Sequence, residues 1–163
     1  HSHGINLWQT FSNFLNMGKI NYLSSNLIFE ETNDYKYDSI MHLNVKSDKG
    51  LVGHITQDVV TNPHKKNLEI VFENGYLNII NNYKNNIDRV EYFLNGDSES
   101  INFPKNRKDD FIGDILNIEK TFLKNKNQEQ SMGFDVALET MNIINASIKS
   151  NDIGKLVKVD YSI

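Results

Sequence analysis

The chain carries five histidines and no cysteine. Thiolate nucleophiles, disulfides and Cys-based zinc sites are therefore excluded together, which suits a reducing compartment. His1 and His3 stand two apart and would share a metal only in extended backbone, with no carboxylate or third histidine close by in sequence, so no metal site is expected. His1 and Ser2 read as terminal or cloning residues. His3 just precedes a helical pattern, and imidazole is the side chain that exchanges a proton near neutral pH. It is the candidate acid/base, against the plainer reading of an inert residue near the start. His42 and His54 fall on two strands, where they either pair across a hairpin or sit as solvated cross-strand neighbours. Asp58, Asn62, His64, Lys65 and Lys66 surround Pro63. One reading is a solvated corner. The other is an anion or sugar site, where a lysine meets a carboxylate or phosphate and Asp58 accepts from hydroxyls. Neither Gly-x-Ser-x-Gly, Gly-x-Gly-x-x-Gly nor a P-loop occurs, so the chain supplies no nucleophile elbow and no phosphate cradle of its own.

These residues need elements to hold them. Ile5, Leu7, Trp8, Phe11, Phe14 and Leu15 recur at spacings of three and four, which predicts a helix from Ile5 to Asn16 stopped at Met17-Gly18. Lys19 to Phe29 predicts a strand and Glu30 to Lys36 a loop. Tyr37 to Ser47 alternates, with Met41, Leu43 and Val45 on one face and His42, Asn44 and Lys46 on the other. A turn at Asp48-Lys49-Gly50 returns the chain as a hairpin strand from Leu51 to Thr61, ended by Asn62-Pro63. Further strands are predicted at Leu68 to Phe72, Tyr76 to Ile80 and Val90 to Leu94, with Asn81 to Asn86 as loop. Then the period becomes helical: Phe111, Ile115, Ile118 and Phe122 form a stripe from Lys108 to Lys124 that should lie on a sheet. After a polar link from Asn125 to Gln130, Ser131 is the expected N-cap of a second helix, with Asp135 in its first turn. Its expected buried stripe is Ala137, Met141, Ile144 and Ile148. Leu156 to Val159 closes as a strand. The fold class is α+β, an open, mostly antiparallel sheet of about six strands with helices on one face.

At 163 residues, 39% hydrophobic and 23% charged, the chain is one domain of ordinary globular composition. A net charge of −4 with scattered Lys and Arg leaves no nucleic-acid partner expected. No apolar run approaches the roughly 18 residues of a membrane span, so no membrane partner is expected either, and the cytoplasm is the expected compartment. Because Met41, Leu43 and Val45 compete with Ile55 and Val59 for one covered face, the open sheet face is expected to pair with a second copy or to pack against missing chain.

In order along the chain, several segments resemble one family. Ser2-His3-Gly4-Ile5-Asn6-Leu7 before a helix resembles the Ser-His-x-x-Asp segment of the Gfo/Idh/MocA oxidoreductases, at the start of their C-terminal substrate-binding and dimerisation domain. Gln57 through Ile70, then Glu73-Asn74-Gly75-Tyr76-Leu77, is similar to the family's strand, x-Pro-x-x-Arg, strand, Gly-turn block, as in members tied to surface-sugar and polysaccharide biosynthesis. Arg107 to Phe111 leading into a helix, and Ser131 to Ser150 followed by Gly154-Lys155-Leu156-Val157, resemble its closing helices and last strand.

The resemblance implies a dihydrodipicolinate-reductase-like C-terminal domain over 1–163, with the N-terminal Rossmann domain absent from this chain. It implies an NAD- or NADP-dependent enzyme, the cofactor bound mainly by that absent domain, acting on a sugar or nucleotide sugar as a homodimer or homotetramer. The fragment alone would be inactive. His3 would be catalytic, in proton transfer, and Asn6, Asp58, His64, Lys65 and Lys66 would be substrate-binding. Asn6 stands where Asp is common and cannot act as a base. Lys65 or Lys66 stands where Arg is common, keeping the charge without the bidentate fork. The competing readings are a non-catalytic dimerisation or scaffold module and a small-ligand-binding α+β domain.

Overall fold

A computed structural model describes residues 2–123 and 133–162. In chain order the elements are α1 (Ser2–Phe14), β1 (Ile20–Glu31), β2 (Lys36–Ser47), β3 (Val52–Asp58), β4 (Asn67–Phe72), β5 (Gly75–Lys84), β6 (Ile87–Leu94), β7 (Asp97–Pro104), α2 (Arg107–Leu123), α3 (Phe134–Ile153) and β8 (Val157–Lys158). The α+β class is as expected, but the strands form two four-stranded antiparallel sheets, ordered β3-β2-β1-β8 and β4-β5-β6-β7, instead of one sheet of about six. They belong to two compact units, His1–Val60 with Gln130–Ile163, and Thr61–Glu129.

The first unit holds the core. The turn after Ser47 closes with Gly50 at φ 93° and sets the β2–β3 register so that Leu43 faces Ile55. Leu43 also faces Ser25 on β1, while Leu23 pairs with Val45 and Leu27 with Met41. One face therefore presents Leu23, Leu27, Met41, Leu43, Val45 and Ile55, buried together with Ile5 of α1 and Ile143 and Ala146 of α3. Each large aliphatic buried this way contributes about 1.5–3 kcal/mol before chain entropy is set against it. The expected competition between the Met41 row and Ile55 does not arise, because the register puts them on one face, and Val59 lies past the end of β3. The opposite face is polar: Asn44 is opposite both Ser24 and His54, and His42 opposite Asn26 and Thr56. His42 bonds Thr56 Oγ1 through Nδ1 at 3.0 Å, so His42 and His54 are diagonal neighbours and not a pair.

α3 buries a different stripe from the one its apolar residues predicted. Thr140, Ile143, Ala146, Ser147 and Ser150 are buried, whereas Ala137, Met141 and Ile148 are exposed. The reason is hydrogen bonding at β1. The two-residue β8 pairs with Tyr22 and Leu23 alone, and beyond it Ser25 N–H donates to Ser150 Oγ at 3.1 Å and Leu27 N–H to Asn151 Oδ1 at 2.8 Å. The Ser25 hydroxyl donates to the Ser147 carbonyl in turn. Small polar residues thus face the sheet where a hydrophobic count would place larger ones. The described helix starts after Gly133, which makes no side-chain cap; Ser131 and the link 125–130 lie outside the described residues. Asp135 occupies the first turn, and Gly154 ends the helix in the left-handed region at φ 63°.

The second unit is a meander. Asn95 and Gly96, at φ 52° and 97°, form a two-residue turn of the kind that opens a hairpin, and the partner strand β7 lies where no strand was predicted. Cross-strand pairing aligns Leu68, Ile79, Val90 and Ile101 in one row across all four strands, and Glu69, Asn78, Glu91 and Ser100 in a row on the other face. The apolar open face is therefore in this sheet, not the first. α2 forms as its period predicted, but Phe111, Ile115 and Ile118 are exposed and anchor nothing. Among the described residues of this unit none is buried, so the stripe has no apolar layer to lie on.

Gly53 passes so close to Trp8 that an added Cβ would stand 2.8 Å from the indole Nε1. Gly53→Ala should destabilise the first unit by about 1–3 kcal/mol. Thermal unfolding followed by the emission of Trp8, the chain's single tryptophan, checks this; an unchanged midpoint would rule out the close packing.

Candidate functional site

Helical N-termini leave their first N–H groups without acceptors in the helix. In α1 the Gly4 N–H finds one outside it, donating to Gln57 Oε1 of β3 at 2.9 Å. A Cβ on Gly4 would stand 2.8 Å from that oxygen and 2.9 Å from Ile55 Cγ2, so the approach requires glycine. Ile5, next along, is fully buried. His3 is exposed on this anchored turn.

Asn6 follows His3 by three positions and lies toward the same side of α1. The Thr140 hydroxyl on α3 contacts the Asn6 amide oxygen, the Gln9 Oε1 at 2.9 Å and the Val136 carbonyl at 3.0 Å. One hydroxyl proton serves one acceptor at a time. The cluster balances when Asn6 turns its NH2 toward Thr140 and donates. Gln9 Nε2 faces Glu139 at 3.4 Å, and Glu139 pairs with Lys19. Tyr161 lies beside this pair under the Lys19 ammonium and donates its hydroxyl to the Ile20 carbonyl at 2.7 Å. Burial pushes its hydroxyl pKa up, and the charges of Glu139 and Asp48 add to that. Sequence reading found none of Gln57, Thr140, Glu139 or Lys19, since their partners lie far away along the chain.

Asp58 ends β3 and accepts the Val60 N–H through Oδ1 at 2.9 Å, a turn of the Asx kind. Thus His3, Asn6 and Asp58 belong to the first unit, where β3 meets the first turn of α1 through Gln57. His64, Lys65 and Lys66 belong to the second unit, exposed ahead of β4. They follow a cis Asn62–Pro63 bond. The Lys66 carbonyl accepts from Asn81 N–H at 2.9 Å, and its charge acts on Asp88. Partial burial pushes the Asp88 carboxyl up, but the Asn82 N–H at 2.7 Å, Lys105 at 2.8 Å and Lys66 outweigh it and hold the pKa below the ordinary value. Among the described residues no three His, Asp or Glu side chains are placed to hold a metal ion, and no helix is long and apolar enough to cross a membrane.

No family model and no curated protein matches the sequence. Solved structures do match in fold. An NAD binding oxidoreductase from Klebsiella pneumoniae aligns over 99% of this chain and 49% of its own, with a TM-score of 0.77 and 12% identity. The aldose-aldose oxidoreductase from Caulobacter crescentus, complexed with glycerol, aligns over 94% of this chain and 45% of its own, with a TM-score of 0.73 and 12% identity. The WlbA dehydrogenase from Bordetella pertussis, in complex with NADH and UDP-GlcNAcA, aligns over 99% and 44%, with a TM-score of 0.63 and 12% identity. The chain spans about half the length of these structures. Its fold is the α+β fold of the C-terminal domain of Gfo/Idh/MocA oxidoreductases, as the sequence resemblance implied.

A carboxyl with a depressed folded pKa stabilises the fold above its unfolded value, 3.8 here, and loses that contribution as pH falls through the folded value. Urea unfolding of the wild type should therefore weaken below about pH 4, with Asp88→Asn less stable at neutral pH and flatter through that window. Parallel pH curves for the two proteins would refute the Asp88 contribution.

Proposed function

We propose that residues 1–163 are the C-terminal, substrate-shaping domain of a longer NAD- or NADP-dependent oxidoreductase acting on a sugar or nucleotide sugar. The observation that carries this reading is the alignment of nearly the whole chain with about half of each of these oxidoreductases, one of them an aldose-aldose oxidoreductase and one a complex with NADH and UDP-GlcNAcA, at a fold that carries His3 in the first turn of its first helix. This chain's residues do not fit a dinucleotide: the sequence has no Gly-x-Gly-x-x-Gly and no phosphate-cradling loop. The cofactor is assigned to a Rossmann domain preceding residue 1. Within this chain, the His3 ring nitrogen accepts the proton of the reacting hydroxyl when the substrate is oxidised and returns it in the reverse direction. Asn6 and Asp58 of the first unit are assigned to the substrate. In the second unit taken by itself, His64, Lys65 and Lys66 are proposed contacts for an acidic or phosphorylated group. The proposed compartment is the cytoplasm.

The apolar row Leu68, Ile79, Val90 and Ile101 supports assembly as a homodimer or homotetramer through the β4–β7 sheet. The same row favours the second reading, a non-catalytic dimerisation module.

Activity separates the two. In the full-length protein, His3→Ala should lower kcat by roughly 10²- to 10⁴-fold. Turnover unchanged on the sugar substrate would remove His3 from the mechanism. For assembly, Ile101→Lys is the probe, since Ile101 lies in this row and is 42% exposed. Sedimentation should shift to the monomer; an unshifted oligomer would place the interface elsewhere.

A further inference from the structure

We infer that Gln57 is a positioning residue for His3, holding the first turn of α1 in the orientation that proton transfer requires; this rests on the assignment of His3 above. The N–H that donates to Gln57 Oε1 belongs to the peptide joining His3 to Gly4. The contact therefore fixes the plane from which the His3 side chain leaves the backbone. Among the described residues no acidic side chain of the first turn of α1 does the same. A terminal turn held by its own hydrogen bonds frays.

Gln57 is also out of place as packing. It pairs with Met41 on the covered face of the sheet, two positions along from Ile55, where an apolar side chain would continue the row. A carboxamide kept there has its polar atom in use: the oxygen meets the helix donor, and the glycine at position 4 lets strand and helix come that close. The carboxamide is neutral, so it supplies the acceptor without placing a charge beside the imidazole.

The test uses the full-length enzyme with Gln57→Met, which removes the acceptor at similar volume, and Gln57→Glu, which keeps an oxygen in its place. Gln57→Met should lower kcat by about 10- to 100-fold with KM for the sugar changed less than about twofold, as expected when a reacting group is misaligned but the substrate is still held. Gln57→Glu should keep more of kcat than Gln57→Met. Amide exchange at Gly4 should be about tenfold faster in Gln57→Met, in step with the lost hydrogen bond. Unchanged exchange at Gly4 overturns the clamp whatever the activity does. Unchanged kcat in Gln57→Met, beside an inactive His3→Ala, overturns the positioning role alone. Unchanged turnover in His3→Ala overturns both this inference and the assignment it rests on.

Discussion

A buried backbone N–H without an acceptor costs about 1–3 kcal/mol, and β1 has two at risk where the two-residue β8 ends. Ser150 and Asn151 of α3 satisfy them. This seam decides much of the first unit. It brings α3 down on β1 with serines and alanine at the contact, it sets which face of α3 is buried, and it leaves Met141 outside. It also closes an edge that would otherwise present a template for another strand. Hydrophobic burial supplies the larger energy, but it is non-directional and would tolerate α3 rotated by one residue. The hydrogen bonds to β1 would not.

The placement of α1 follows from that of α3. Thr140 and Glu139 rise from the N-terminal half of α3, and through Asn6, Gln9 and Lys19 they tie α1 and the start of β1 to it. β3 holds the other side of α1 through Gln57 and the Gly53–Trp8 contact. His3 is thus an exposed residue on a turn determined by buried ones. Exposed ion pairs contribute at most about 1 kcal/mol, so it is the buried Thr140–Gln9 contact and Ile5, not the Lys19–Glu139 pair, that fix the helix.

What was legible in the sequence is what acts over short spans. The alternation of Met41, Leu43 and Val45, the period of α1 and α2, and the turn at Gly50 are local signals, and the structure bears them out. β7 was missed because Asp97, Ser98, Glu99 and Ser100 carry no apolar alternation, although the Asn95-Gly96 turn was there to announce a returning strand. The α3 face was misjudged because apolarity was counted while the demand for hydrogen bonds at β1 was not visible. The exposed stripe of α2 shows the converse: a helical period predicts the helix, not the layer that covers it. For the site, the exposed candidates His3 and Asn6 and the half-buried Asp58 were read from position and resemblance. Gln57 and Thr140 act across 53 and 134 residues of sequence and leave no local signature.

The two units are held together by different means. The first has a core of aliphatic side chains and a satisfied polar seam. The second has, among its described residues, a single-layer sheet, an amphipathic helix and surface ties such as Lys105–Asp88, Arg89–Ser100 and Tyr92–Glu99. Fixing backbone costs roughly 1–2 kcal/mol per residue, and such partly exposed ties return about 1 kcal/mol or less each. Such ties return little against that cost, and further burial of the row of Leu68, Ile79, Val90 and Ile101 would add to the unit's stability. That row is continuous across four strands, while the opposite face mixes the polar row of Glu69, Asn78, Glu91 and Ser100 with Val71 and the stacked Tyr76 and Phe93. Burying that row and ordering its strands would therefore reinforce one another, and β4, which follows directly on His64, Lys65 and Lys66, is one of those strands.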